Sequence, residues 1–142
     1  MLTDRIRYII RLKDSHHKLA FSFSIGVFIG ISPFWGFHTM LGLIASWMFR
    51  LNTFATISGI YLLPFWSLLP LYVFSTWIGI KSLGAEYLIL NIKMENITLP
   101  HIFFIIESLF LPFLFGTFII GSLLAFLCYI FIYLNIKQKE MS

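Results

Sequence analysis

Gly26-Val27-Phe28-Ile29-Gly30-Ile31-Ser32-Pro33-Phe34-Trp35-Gly36-Phe37-His38-Thr39 is the stretch on which the fold turns. It lies inside a run of 31 uncharged residues, Leu19 to Phe49. One membrane-spanning helix needs about 20 apolar residues, and two spans with a turn need about 40. The run fits neither length. Pro33 removes a backbone donor and Gly36 permits a sharp turn, so two half-helices are predicted. Each would be about 20 Å long, against a hydrocarbon core of about 30 Å. Unpaired peptide groups at that depth are costly in hydrocarbon, so a break there implies shelter by protein.

Working outward, Leu51 to Ile80 repeats the pattern with 30 uncharged residues interrupted at Pro64 and Pro70. Pro33-Phe34-Trp35 recurs as Pro64-Phe65-Trp66, and a true repeat would suggest paired broken helices. A third run, Ile102 to Ile136, contains one charge, Glu107, and ends at Lys137, Lys139 and Glu140. From Ser108 onward it is long enough to span with tilt. Hydrophobic residues make up 59% of the chain and charged residues 11%, with a mean hydropathy of +0.91. A water-soluble domain of 142 residues could not hide that much apolar surface.

The expected fold class is therefore an all-α integral membrane protein. Broken or re-entrant helices over 19–49 and 51–80 are followed by a long C-terminal transmembrane helix. Residues 1–18 carry Arg5, Arg7, Arg11, Lys13 and Lys18. On a helix, Leu2, Ile6, Ile9 and Ile10 share one face while Asp4, Arg7, Arg11 and Lys18 share the other, which describes an amphipathic helix lying in the membrane surface. The expected units are this interfacial segment (1–18), a broken-helix core (19–84), a non-cytoplasmic interfacial loop (85–101), and the C-terminal helix with its short tail (102–142). A short helix and a turn at Asn96 to Pro100 are expected inside the loop.

Positive-inside bias places the basic N-terminus, and with it the C-terminal lysines, in the cytoplasm, in a multi-pass protein of the bacterial inner membrane. Two crossings satisfy this if 19–49 is a re-entrant hairpin; the alternative has both early segments re-entrant or both as kinked spans. Small residues recur at four-residue spacing: Ser22, Gly26 and Gly30; Gly42 and Ser46; Ser75 and Gly79; Thr117, Gly121 and Ala125. Such ladders allow close helix packing, within one chain or between copies, and a homo-oligomer is expected.

These residues resemble a known family. The quoted stretch 26–39, then Arg50-Leu51-Asn52, then Leu71-Tyr72 to Gly79, is similar to the bacterial membrane family called domain of unknown function 2062, with the likeness covering Lys18 to Gly84. Members often carry an Asn-Pro pair in the second segment, where this chain has Leu63-Pro64. Some members are fused to glycosyltransferase-like domains, which by resemblance links the chain to envelope glycan or lipid-carrier metabolism.

The candidate chemistry centres on the breaks at Pro33, Gly36, Pro64 and Pro70. A second half-helix starting near Gly36 would offer free N–H groups to an anion, beside His38 and Thr39; the plainer reading is a turn. Arg50 between two apolar runs is either a binding residue or a topology anchor, with Asn52 as binder or helix cap. The substrate-binding set is thus Gly36, His38, Thr39, Arg50 and Asn52. No catalytic group, metal site or cofactor motif is recognisable: His16-His17, His38 and His101 lack metal-ligand spacing, and Cys128 stands alone. Glu107 reads as a solvated carboxylate.

The leading expectation is a non-enzymatic small transporter or flippase-like module for an anionic, phosphate-bearing substrate such as a lipid carrier. The alternative is a membrane scaffold or accessory subunit of an envelope-synthesis enzyme. Anionic lipid headgroups are expected partners, and nucleic acid is not.

Overall fold

The computed structural model describes residues 16–86 and 98–142. Among the described residues five helices carry the fold: α1 (His16–Ile31), α2 (His38–Met48), α3 (Thr53–Ile60), α4 (Phe65–Leu83) and α5 (Leu99–Met141). No strand occurs among the described residues. The expected surface helix falls mostly on residues 1–15, outside the described part, and His16 to Lys18 form the first turn of α1.

The helices are apolar on nearly every side, so their few hydroxyls must find partners locally. Ser22 donates to the carbonyl of Lys18 at 2.7 Å and Ser24 to Ala20 at 2.8 Å. Ser46 and Ser75 likewise reach back four residues, to Gly42 and Leu71. Bonding within the same helix lets small polar residues sit on packed faces with no unsatisfied group.

α1 and α3 lie side by side and run parallel. The Asn52 N–H donates to Ser22 Oγ at 2.8 Å. One turn on, Gly26 lies against Thr56, and further along Gly30 meets Ile60. A side chain on Gly26 would collide with the Thr56 carbonyl oxygen, and one on Gly59 with that of Phe23. The helices touch backbone to backbone, and glycine is required on both sides.

Parallel neighbours need a return path, which α2 supplies. It starts beside the end of α1 and runs antiparallel to α3, with Thr39 bonded to Tyr61 and Gly42 facing Ile57 and Ile60. Its end shows the helix-stop pattern in which the Leu51 N–H reaches back to the Ser46 carbonyl, at 2.8 Å. Arg50 then takes a φ of +51°. Asn52 caps α3, its Oδ1 accepting from Ala55 N–H at 3.0 Å.

α4 packs antiparallel on α5. A side chain on Gly79 would strike the Pro112 carbonyl, and one on Gly116 the Ser75 carbonyl. The next stretch of α5 packs antiparallel on α1, with Tyr129 against His17 and Phe118 against Phe28. Most of the small residues named from the sequence line these seams: Ser22, Gly26, Gly30, Gly42, Ser46, Ser75, Gly79, Thr117 and Gly121 are buried, while Ala125 is half-buried. Their close approaches are made inside one chain, so they are not free to argue for an oligomer.

Two boundaries need correction. Pro70 does not break a helix, because it falls within α4, which continues to Leu83. A proline on the second turn removes one hydrogen bond, and packing of Ser75 and Gly79 on α5 holds the turns beyond it. The C-terminal helix begins at Leu99 instead of 102, with Pro100 in its first turn, where a missing N–H breaks no helical bond. Residues 99–101 thus belong to α5, and the short helix expected earlier in that loop falls largely on 87–97, outside the described part.

Candidate functional site

The chain breaks after α1 (residues 32–37) and after α3 (residues 61–64) sit next to each other. Parallel packing of the two helices makes this unavoidable. Gly36 has a φ of +85°, a conformation open to glycine, and no atom lies within 4 Å of where its Cβ would be. The chain therefore reverses into α2, whose first residues receive no side-chain cap.

Side chains knit the two breaks together. The Trp35 indole N–H donates to the Tyr72 hydroxyl at 3.0 Å, and Tyr72 donates to the Ser32 carbonyl at 3.4 Å. His38 donates to the same carbonyl through Nε2–H, at 2.8 Å, which fixes its tautomer. Thr39 Oγ1 and Tyr61 Oη share a hydrogen bond of 2.7 Å. Trp35 packs edge-on against Phe65, with ring centres 5.0 Å apart, and Tyr72 against Phe113 of α5 at 5.3 Å. Beside this network lies a groove of about 360 Å³ lined by Ser32, Pro33, Phe34, Leu114 and Thr117, with Phe28 and Phe118 at one end.

The five residues expected to form one binding site fall into two groups. Gly36, His38 and Thr39 open α2 at the break, whereas Arg50 and Asn52 follow its other end. Eleven residues of helix separate the groups by about 16 Å. The Asn52 amide is the cap of α3, and its side-chain oxygen holds the Ala55 N–H. Arg50 is exposed. It occupies a left-handed backbone position that costs a non-glycine residue about 1 kcal/mol or more. A glycine would be the cheaper residue at that turn, so the guanidinium is held there at a conformational expense.

Arg50 also marks one pole of the molecule. Lys18 is near it, since its carbonyl accepts from the Ser22 hydroxyl that in turn receives the Asn52 N–H. Lys137 and Lys139 end α5 on the same side, because α5 runs antiparallel to α1. Lys81, Glu86 and Glu107 lie toward the other pole, where Lys81 stands over the Trp77 ring at 4.5 Å. No three of His, Cys, Asp and Glu come together as metal ligands among the described residues.

Sequence reading missed Tyr61 and Tyr72, which tie the breaks together. The available signal was a phenol inside an uncharged run, a group that needs a partner when buried. Gly116, which faces Gly79, was missed because it lies one position off the ladder through Thr117, and Gly59, which faces Gly26, because it lies on a segment where spacing suggested no ladder.

No curated protein and no solved structure matches this chain. The sequence profile of domain of unknown function 2062, described as an uncharacterised protein conserved in bacteria, matches residues 1–141, beyond both ends of the 18–84 likeness. The chain belongs to that family.

Proposed function

We propose that this protein is an integral protein of the bacterial inner membrane that handles an anionic, phosphate-bearing amphiphile, such as a lipid carrier, as a small transporter or flippase-like module. The observation that carries the reading is the pair of adjoining chain breaks, polar and hydrogen-bonded, held against the middle of α5 on an otherwise apolar bundle.

The membrane setting rests on surface chemistry. α5 is long and apolar enough to cross a bilayer, with a mean hydropathy of 2.3 in its most apolar window, of which only 17% is buried. A core helix of a soluble protein would be mostly covered. α3 and α4 together pass the same test as a span bent by 74°. With α1 and α2 as a re-entrant hairpin, the chain crosses twice. Lys18, Arg50, Lys137 and Lys139 then face the cytoplasm by positive-inside bias. Trp47, 85% exposed near Arg50, and Trp77 beneath Lys81 suit the two interfaces.

In this setting the molecule has two polar stations about 16 Å apart along α2. Arg50 meets a phosphate at the cytoplasmic surface, where a guanidinium gives paired hydrogen bonds. The second station is the uncapped start of α2, with the His38 and Thr39 side chains next to free N–H groups. No covalent step is required, and the protein acts without being an enzyme.

A second reading has its own support. Trp35, Tyr72, His38, Thr39 and Tyr61 are paired among themselves, as in a structural knot. Exposed aromatics such as Trp66 then become contact surface for a further copy or for an envelope-synthesis enzyme, and the protein is a scaffold. Complementation of a deletion strain separates the two. Arg50→Gln and Thr39→Val should reach normal membrane levels yet lose function in a translocator. Full function in Arg50→Gln sinks the phosphate station and favours the scaffold.

A further inference from the structure

The seam between α1 and α5 opens into a groove of about 670 Å³, in which His17, Phe21 and Ser24 of α1 lie across from Ser122, Ala125 and Tyr129 of α5. Phe28 and Phe118 close its inner end, their rings edge to face at 5.6 Å. Gly121 leaves space for this closure, since a Cβ there would lie 3.2 Å from the Phe28 ring. From His17 to Phe28 the groove runs eleven residues of helix, about 16 Å. That is close to one leaflet of a hydrocarbon core of about 30 Å.

The two ends of the seam differ in charge. At the outer end the His17 ring meets Tyr129 edge-on at 5.5 Å, Lys18 is the next residue, and Lys137 lies two turns beyond Tyr129 on a similar face of α5. The inner end continues into the uncharged groove beside Ser32 and Thr117. An occupant with an apolar tail one leaflet long and an anionic head therefore fits in one orientation only.

We propose that this seam is a binding site for an anionic phospholipid, one acyl chain in the groove with its end against Phe28 and Phe118, and the phosphate at the Lys18–Lys137 end. The proposal rests on the membrane reading above and is independent of any transport at the chain breaks. The small side chains of Ser24, Ser122 and Ala125 give the tail its depth, and the lysines select the head.

The test uses the photoreactive residue benzoylphenylalanine at position 126, which lines the groove, and separately at position 131, an exposed site on the opposite face of α5. The full-length protein is placed in vesicles of equal phosphatidylglycerol and phosphatidylcholine, irradiated, and the adducts are weighed intact. Position 126 should capture phosphatidylglycerol over phosphatidylcholine by roughly fivefold or more, the factor expected for one lysine at an anionic surface. Position 131 should report the vesicle ratio. Lys18→Gln with Lys137→Gln should return position 126 to that ratio, and Ala125→Trp should lower its total lipid capture. A vesicle ratio at position 126 in the otherwise unaltered protein overturns the site while leaving the membrane reading intact. A covalent dimer at position 126 overturns it in favour of a second copy. Absence of lipid adducts at both positions defeats the membrane reading itself.

Discussion

Residues 32–37 and 61–64 interrupt two parallel helices at the same height, and Pro-Phe-Trp begins within the first interruption and at the end of the second. Yet the chain reverses at the first and only bends, by 74°, at the second. The difference lies one residue beyond the shared letters. After Trp35 comes Gly36, at a φ of +85°, which turns the chain back into α2. After Trp66 comes Ser67, already helical, and Pro64 at φ −67° and ψ 150° serves as the cap of α4. The environments diverge accordingly. Trp35 turns inward to Tyr72 and Phe65, while Trp66 is 80% exposed. Both breaks carry a proline, and the glycine that follows the first is what turns the chain back.

The comparison can be broken most severely where the two breaks are held together. A Cβ on Gly30 would lie 2.6 Å from the Ile60 carbonyl oxygen, with main-chain atoms that cannot move aside. Gly30→Leu should cost about 3 kcal/mol or more, the upper range for overpacking, and show as loss of monodisperse protein in mild detergent. Normal yield and thermal stability would mean that α1 and α3 do not touch at this point.

A smaller effect isolates the reversal. Gly36→Ala adds a methyl into open space but must hold a left-handed backbone, so about 1–2 kcal/mol should be lost. The corresponding change at the second break, Leu62→Ala, has no such demand on the backbone and should stay within about 0.5 kcal/mol. Equal losses in denaturant titrations would remove glycine as the distinction.

The least disruptive pair contrasts the two tryptophans. Trp35→Phe deletes the N–H that holds the Tyr72 hydroxyl and should cost about 1 kcal/mol. Trp66→Phe, on an exposed face, should be nearly silent. The two thermal midpoints, measured side by side, settle whether the shared letters carry shared roles.

What could be read from sequence follows from which forces act locally. The helical class and the long C-terminal helix were legible because Ser108 to Ile136 offers no charge and a single proline, and an uncharged apolar run of that length reads as one long helix. Pro70 misled, because a proline's cost depends on how many turns beyond it are packed, which is tertiary information. The candidate site was grouped wrongly in space for a similar reason. His38 and Arg50 are neighbours in a short stretch of letters, but the helix between them carries them to opposite ends. The tyrosine pairings could not be read at all, since Thr39–Tyr61 and Trp35–Tyr72 exist only once α1 and α3 lie parallel.

That parallel pairing has a consequence for biosynthesis. α1 leaves the ribosome some 30 residues before its partner, and Gly26, Gly30 and the Ser22 hydroxyl acceptor all await residues 52–60. Until those residues emerge, a 16-residue helix lacks the backbone that it packs against in the folded chain. Folding of the first half is thereby tied to translation of the second, and α1 through α3 close on one another only once residues 52–60 are made.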